Sequence, residues 1–360
     1  MLPLKFIPQY FERVWGGRAL ETHLNRTLPP NLKIGESWEL ADRAGTCVSV
    51  VSEGEFAGKT LREILDAHGD EILGPGGAGA RFPLIVKWLD CAASASIQVH
   101  PNAETAARFG EQEKTEAWYF FHSEDGAEFI AGLRAGTTAD TLRRAIAAGT
   151  AESLVLHHRA AAGTAVLIRT GTVHTAGAGN VILEIQENSD STFRLYDWNR
   201  RDSAGKLREL HVEKALASID FEMNYALAGT SENSPSRAAP ETPLCACAHF
   251  AMTHVTLGEG EVFDLPARGQ PRLVTALTGT LKIAKKLSPL IKGSGTASAE
   301  NAQREGSREE FAKTTGNATT LAAAETALLP FCGEFSIRSR GGSASFILTD
   351  NFYPPKTQNL

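Results

Sequence analysis

Residues 164–174 read T-A-V-L-I-R-T-G-T-V-H, an apolar, β-branched stretch that passes through a glycine to a histidine. The first six residues read as a strand. Gly171 can take the left-handed backbone that a tight turn requires, and such a turn can aim an imidazole inward at the mouth of a barrel. His174 is therefore a candidate inward-facing ligand.

A second stretch points the same way. In S-I-Q-V-H-P-N (96–102), Ile97 and Val99 alternate with Gln98 and His100. Strand side chains alternate, so the amide and the imidazole project from one surface about 7 Å apart, within reach of one metal ion. Glu116 follows 16 residues after His100 and opens A-W-Y-F-F. The chain is expected to return there as a strand paired with the first, carrying the carboxylate to the same face. One amide oxygen, two imidazoles and one carboxylate suit Zn²⁺ or another borderline divalent ion, and an open position for water or substrate would make the metal catalytic.

Composition narrows the class. The 360 residues are 42% hydrophobic and 22% charged, which is ordinary globular usage for one large or two medium domains. A net charge of -6 without a concentrated basic segment argues against a nucleic-acid or anionic-membrane partner. No run approaches the roughly 18 apolar residues of a membrane span, and the start lacks the pattern of a secretion signal. Five scattered cysteines with no C-x-x-C pair indicate neither a disulfide framework nor a thiolate zinc site. Reduced cytoplasm is the expected setting.

Most of the chain consists of short β-type runs bounded by Gly, Asn and Asp: 45–52, 82–89, 127–133, 164–169, 180–186 and 193–198. That spacing predicts a mainly β protein, a sandwich or jelly-roll barrel with few short helices. Thr60-Leu-Arg-Glu63 is a capping box, Thr138 to Ala148 ends at Gly149, and Val212 to Ile219 is a short amphipathic piece. The Ser/Pro/Gly-rich residues 229–242 read as a linker between a catalytic domain at 1–228 and a second, smaller β domain at 243–360. Within the latter, 293–320 has almost no large apolar residues and is expected to be a mobile insertion. The second domain shows no Q-x-H or carboxylate pattern that would turn His249 and His254 into another metal site.

G163-x5-R169-x-G171-x2-H174 resembles the second motif of cupins, with Arg169 where proline is usual and Ala178 where asparagine often stands. More specifically, the chain resembles the type I mannose-6-phosphate isomerase (phosphomannose isomerase) family in its short bacterial form. The matching pieces are E-R-V-W-G-G (12–17), G-E-S-W-E-L (35–40), P-L-I-V-K-W-L-D (83–90), S-I-Q-V-H-P-N (96–102), K-T-E-A-W-Y (114–119), G-T-V-H (171–174), Q-E-N-S-D-S-T-F-R-L-Y-D-W (186–198) and E-L-H-V-E-K-A-L (209–216). They stand in family order across some 200 residues. The second domain is also similar to the family's C-terminal half, though less closely, which implies a cupin-like fold there.

The resemblance implies interconversion of mannose 6-phosphate and fructose 6-phosphate by a monomer. It implies a metal, usually zinc, on the residues matching Gln98, His100, Glu116 and His174, and a catalytic arginine at Arg194. It places Ser96, Lys87 and Lys114 at the sugar-phosphate end. An isomerase of this kind moves a proton between C2 and C1 through an enediolate, whose charge a metal and a guanidinium can stabilise. The proton carrier stays open among a metal-bound water, Lys114, Glu187 and a nearby histidine. Lys87 could instead be the solvent face of its strand, and Arg194 could pair with Asp197 or Asp190. Two other classes use similar residues: a cupin iron oxygenase, against which Gln98 and the lysines count, and a non-catalytic sugar-binding cupin, expected to have lost a ligand or the arginine.

Overall fold

Strand Ile97–Val99 shows how the alternation is used. Ile97 and Val99 are buried in a cluster with Leu142, Ile146, Ala215 and Leu216, which come from helices Ala139–Ala148 and Val212–Ser218. Two apolar side chains thus dock helices on the outer face of a sheet, and Gln98 between them points the other way. Both predicted helices form. Thr138 caps the first through a capping box, and Gly149 ends it in the left-handed conformation.

The structure is a computed structural model that describes residues 1–201, 205–226, 240–267, 269–286 and 318–353. It is mainly β and divides into two compact units, one of Pro8–Cys47 and Phe82–Pro235, the other of Met1–Ile7, Val48–Arg81 and Ser236–Leu360.

The first unit is built of two antiparallel sheets. The six-stranded sheet runs in the order Ala165–Ile168, Glu116–Ser123, Asn180–Glu187, Leu84–Cys91, Ile34–Leu40 and Gln9–Gly17. The five-stranded sheet runs Val155–Arg159, Glu128–Leu133, His174–Ala176, Ile97–Val99 and Phe193–Tyr196. They face each other across a shared core to which one contributes Leu89, Trp118, Phe120 and Ile182 and the other Phe129, Ala131 and Ala176. This is the expected jelly roll.

The second unit repeats the plan. Its six-stranded sheet is Leu4–Lys5, Thr326–Leu329, Arg272–Thr278, Ala344–Asp350, Ala251–Leu257 and Glu241–Ala246, and its four-stranded sheet is Val262–Leu265, Phe335–Ser339, Leu281–Lys285 and Ala318–Leu321. Val274, Leu329 and Phe346 from one sheet meet Ile283, Phe335 and Ile337 from the other. Helix Leu61–Ile72 belongs to this unit and starts at the predicted capping box, in which Thr60 N donates to Glu63 Oε2 at 2.8 Å.

Three expectations about organisation change. The division is discontinuous: residues 1–7 and 48–81 join the C-terminal half instead of the catalytic domain expected at 1–228. Of the expected linker, 229–239 lie outside the described residues, and 241 and 242 open a strand. Of the expected insertion, 293–317 lie outside the described residues, while 318–320 belong to strand Ala318–Leu321.

Candidate active site

His174 begins strand His174–Ala176 just after Gly171, whose φ is +79°. A Cβ on that glycine would stand 3.1 Å from the Asp220 backbone nitrogen and 3.2 Å from Ser218 O, so the turn has both a conformational and a steric need for glycine. The turn sets His174 directly opposite Gln98 on the neighbouring strand, and Arg194 lies opposite Gln98 on the other side. Glu116 does not arrive as expected. Its strand pairs with Ala165–Ile168 and Asn180–Glu187 in the six-stranded sheet, so the carboxylate reaches the histidines from the facing sheet.

His100, Glu116 and His174 are fully buried, and their ligand atoms all lie within 4.8 Å of one another. His100 Nε2 is 3.2 Å from Glu116 Oε2, and His174 Nε2 is 3.4 Å from Oε1. Each histidine donates its Nδ1 proton to a backbone carbonyl at 2.8 Å, His100 to Ser191 and His174 to Thr172. Those bonds fix the tautomer and turn both Nε2 lone pairs inward, as metal-ligating histidines require. Gln98 Nε2 donates to His174 Nε2 at 3.2 Å, and the Ser96 hydroxyl donates to Gln98 Oε1 at 3.2 Å. His100 Nε2 and both Glu116 oxygens have no well-directed hydrogen bond, although Lys114 Nζ stands 2.7 Å from Oε2. Buried polar atoms left so cost about 1–3 kcal/mol each, and a cation among them would satisfy all of them at once.

Electrostatics agree with that fit. Burial, then the nearby imidazole of His100, lowers the His174 pKa to about 3. Burial, then the Lys114 ammonium, lowers that of His100. Both rings are thus neutral and able to ligate. Burial alone would raise the Glu116 pKa, but the Lys114 ammonium holds it well below the usual carboxylate range. Burial likewise opposes the charge on Lys114, yet Glu116 and Glu184 raise its pKa, so the ammonium keeps its proton.

Beside this trio lies a cavity of about 350 Å³, within the roughly 300–1,000 Å³ of small-molecule pockets. Ser96, Gln98, Lys87, Lys114 and Arg194 all line it, so every residue matched to the family's metal, catalytic and substrate positions is at the trio or on this wall. Lys87 is not a solvent face: it is buried over the Trp38 ring, 4.5 Å from its centre. Arg194 makes neither expected ion pair. Its Nη1 donates to Glu209 O at 2.7 Å, and its Nε is buried without a partner.

The wall also holds Arg13, Glu36 and Glu184, which sequence reasoning did not pick out. Arg13 grips Glu36 with two bonds of 2.9 and 3.0 Å, and Trp38 Nε1 adds a third at 2.7 Å. Lys87 Nζ lies 3.9 Å from Glu36 and 3.5 Å from Glu184. Burial opposes the Glu36 charge, but Lys87 and Arg13 lower its pKa to about 2. Glu184, held by Trp118 Nε1 at 3.1 Å, is shifted the other way, since burial and repulsion by Glu116 raise it. The available signal was alternation in N-V-I-L-E-I-Q, which sets Glu184 and Gln186 on one face as Gln98 and His100 are set. Glu187 falls on the opposite face, accepts from Thr115 N at 2.7 Å, and does not line the cavity.

The family model for the phosphomannose isomerase type I catalytic domain matches residues 3–128. Mannose-6-phosphate isomerase ManA of Bacillus subtilis is 38% identical over 252 residues, covering 69% of this chain and 78% of that protein. The chain belongs to the mannose-6-phosphate isomerase family. It is an isomerase, which sets aside the oxygenase and non-catalytic classes. A putative mannose-6-phosphate isomerase of the same organism, YvyI, is 38% identical over 309 residues, 81% of this chain and 91% of that one. The crystal structure of the Bacillus subtilis mannose 6-phosphate isomerase superposes with a TM-score of 0.75 at 25% identity, covering 97% of this chain and 100% of that one. A mutant of the Salmonella typhimurium phosphomannose isomerase shares the fold, with a TM-score of 0.71 at 15% identity and coverage of 97% and 100%. Among the described residues no helix is long and apolar enough to cross a membrane.

Proposed function

We propose that the protein interconverts mannose 6-phosphate and fructose 6-phosphate in this cavity, with a divalent cation, zinc, held by Gln98, His100, Glu116 and His174. The observation that carries the reading is the cluster of inward-turned ligand atoms of His100, Glu116 and His174, those of His100 and Glu116 without a well-directed hydrogen bond, beside a cavity lined by cations. A bound cation would supply Lewis-acid polarisation of the sugar oxygens at C1 and C2. Gln98 offers its carbonyl oxygen by turning its amide end for end, with Ser96 then accepting from the amide.

The remaining steps belong to the chain's own residues. Glu184, as a carboxylate, takes the proton from C2 to leave a cis-enediolate, a proton passes from O2 to O1, and Glu184 returns its proton to C1, giving the C2 ketone and the C1 hydroxyl of the ketose. A carboxyl with a raised pKa suits a group that must both accept and release a proton. Lys114, paired with Glu116 at 2.7 Å, serves as an ammonium that faces the developing negative charge. Arg194, opposite Gln98, presents a guanidinium that stays charged to the same atoms. Ser96 and Lys87 bind the substrate along the wall. The partner is a small phosphosugar, and the protein acts as a monomer in a reduced cytoplasm, where its five free cysteines remain thiols.

The test is to incubate metal-loaded protein with mannose 6-phosphate and follow fructose 6-phosphate, with and without a chelator. Product that disappears on chelation supports the reading, and a loaded protein that forms none overturns it.

A further inference from the structure

The cations of the cavity wall are not equally free to meet a phosphate. Lys87 lies between Glu36 and Glu184, Arg13 is clamped on Glu36, and Lys114 is paired with Glu116 and feels Asp190 as well. All three carboxylates of the wall, Glu36, Glu184 and Asp190, therefore act on the lysine side. Arg208 also lines the cavity, and it has a different setting. Among the described residues its only partner is Asp197, whose Oδ1 it meets at 3.2 Å through a single Nη1. Asp197 is buried and does not line the cavity, and the same oxygen also holds Arg200. One carboxylate thus orients two guanidiniums and leaves a surplus positive charge, with most of the Arg208 donors uncommitted.

The turn that delivers Asp197 is built for position. Trp198 and Asn199 follow it with φ of +56° and +54°, consecutive left-handed residues that are not glycine. Such backbone costs of order 1–3 kcal/mol per residue and persists only where surroundings enforce it. Here Trp198 Nε1 donates to Ala95 O at 2.7 Å and Arg200 Nη1 to Ser94 O at 2.6 Å, tying the turn to the segment just before Ser96.

We propose that Arg208, oriented by Asp197, is the specificity residue that receives the phosphate group of the substrate, and that Lys87 serves the sugar hydroxyls instead. This rests on the phosphosugar reading above and assigns the anion to one end of its site. A planar guanidinium can take two phosphate oxygens in a bidentate grip, whereas a lysine already between two carboxylates has little net charge to offer. Arg194 stays with the reacting carbons, because it stands opposite Gln98.

Two readouts test the assignment. Inorganic phosphate is titrated calorimetrically into the metal-loaded wild type and the Arg208→Gln, Arg208→Lys and Lys87→Met variants, and KM and kcat for mannose 6-phosphate are measured in parallel. Loss of a charge-assisted grip should weaken phosphate binding by about tenfold or more in Arg208→Gln. KM should rise more than kcat falls, and Arg208→Lys should recover part of both. Asp197→Asn, which leaves the guanidinium but loosens its orientation, should give a smaller loss in the same direction. Unchanged phosphate affinity in Arg208→Gln, with a melting temperature near that of the wild type, overturns the assignment. So does a larger loss in Lys87→Met. If the wild type forms no fructose 6-phosphate, the isomerase reading fails while the phosphate titration still decides the role of Arg208.

Discussion

Replacing Lys114 by methionine tests how the metal site is held together before any metal arrives. The Glu116 carboxylate is 1% exposed and has one ammonium at 2.7 Å, so Lys114→Met strips a buried charge of its main compensation. Breaking a buried pair in this way costs about 3–5 kcal/mol. The carboxyl can limit the loss by taking up a proton. At pH 7, at about 1.4 kcal/mol per pH unit above the ordinary value near 4.3, that caps its share near 4 kcal/mol. For a domain of this size the melting temperature should fall on the order of 10 °C in metal-free protein.

With a divalent cation bound, the carboxylate has a new counter-charge, and the variant should lose less than half as much. The sign with pH follows from the same groups. In the wild type the Glu116 pKa is depressed, so its stabilisation is present above about 4.3 and is lost as pH falls through the folded value. In the metal-free variant burial prevails and the pKa is raised, so the contribution is present below about 4.3 and is lost as pH rises through the folded value. The stability gap between the two metal-free proteins should therefore narrow on acidification from pH 7. Denaturant titrations of metal-free and metal-loaded proteins at pH 5 and 7 measure this. Equal losses with and without metal, or a gap that widens on acidification, would refute the argument.

His100→Ala and His174→Ala should each lower bound metal, read by elemental analysis, from near one equivalent to near none; full retention in either would remove that residue from the ligand set. Arg194→Ala should reduce kcat by roughly 10²–10³, the scale for losing a preorganised charge stabiliser, while metal content is kept. Because burial and Glu116 raise the Glu184 pKa, the acid limb of kcat/KM should titrate above the ordinary glutamate value near 4.3, and Glu184→Gln should abolish turnover at every pH. Thr60→Ala removes the capping box of helix Leu61–Ile72 and should cost about 1 kcal/mol in urea unfolding without changing metal content.

Much of the site was legible because its signals are local. Period-two alternation placed Gln98 with His100, and Gly171 marked the turn that aims His174. Glu116 was recognised as a ligand, but its sheet was not, since nothing in A-W-Y-F-F records whether the partner strand is the previous one or one that arrives 64 residues later, at Asn180–Glu187. The Glu36–Lys87–Glu184 network was hidden for a related reason. Strand Leu84–Cys91 is buried at all eight positions, so no alternation distinguishes Lys87 on the cavity wall from Lys87 on an outer face. The capping box of Leu61–Ile72 was plain, yet a cap says where a helix starts and nothing about which core its apolar face will join. That is why residues 48–81 were assigned to the wrong unit.

The discontinuous second unit has a consequence for how the chain matures. Leu4 pairs with Leu328 and Lys5 with Ala327, so a strand made early waits for a partner about 320 residues further along the chain. Such a contact has a very large sequence separation, and closing it joins segments that a growing chain holds apart. Until then Leu4–Lys5 is an unpaired edge, exposed to other chains during synthesis. A deletion of residues 301–360 would take away Thr326–Leu329 and leave Leu4–Lys5, about 320 residues upstream, without the strand it pairs with.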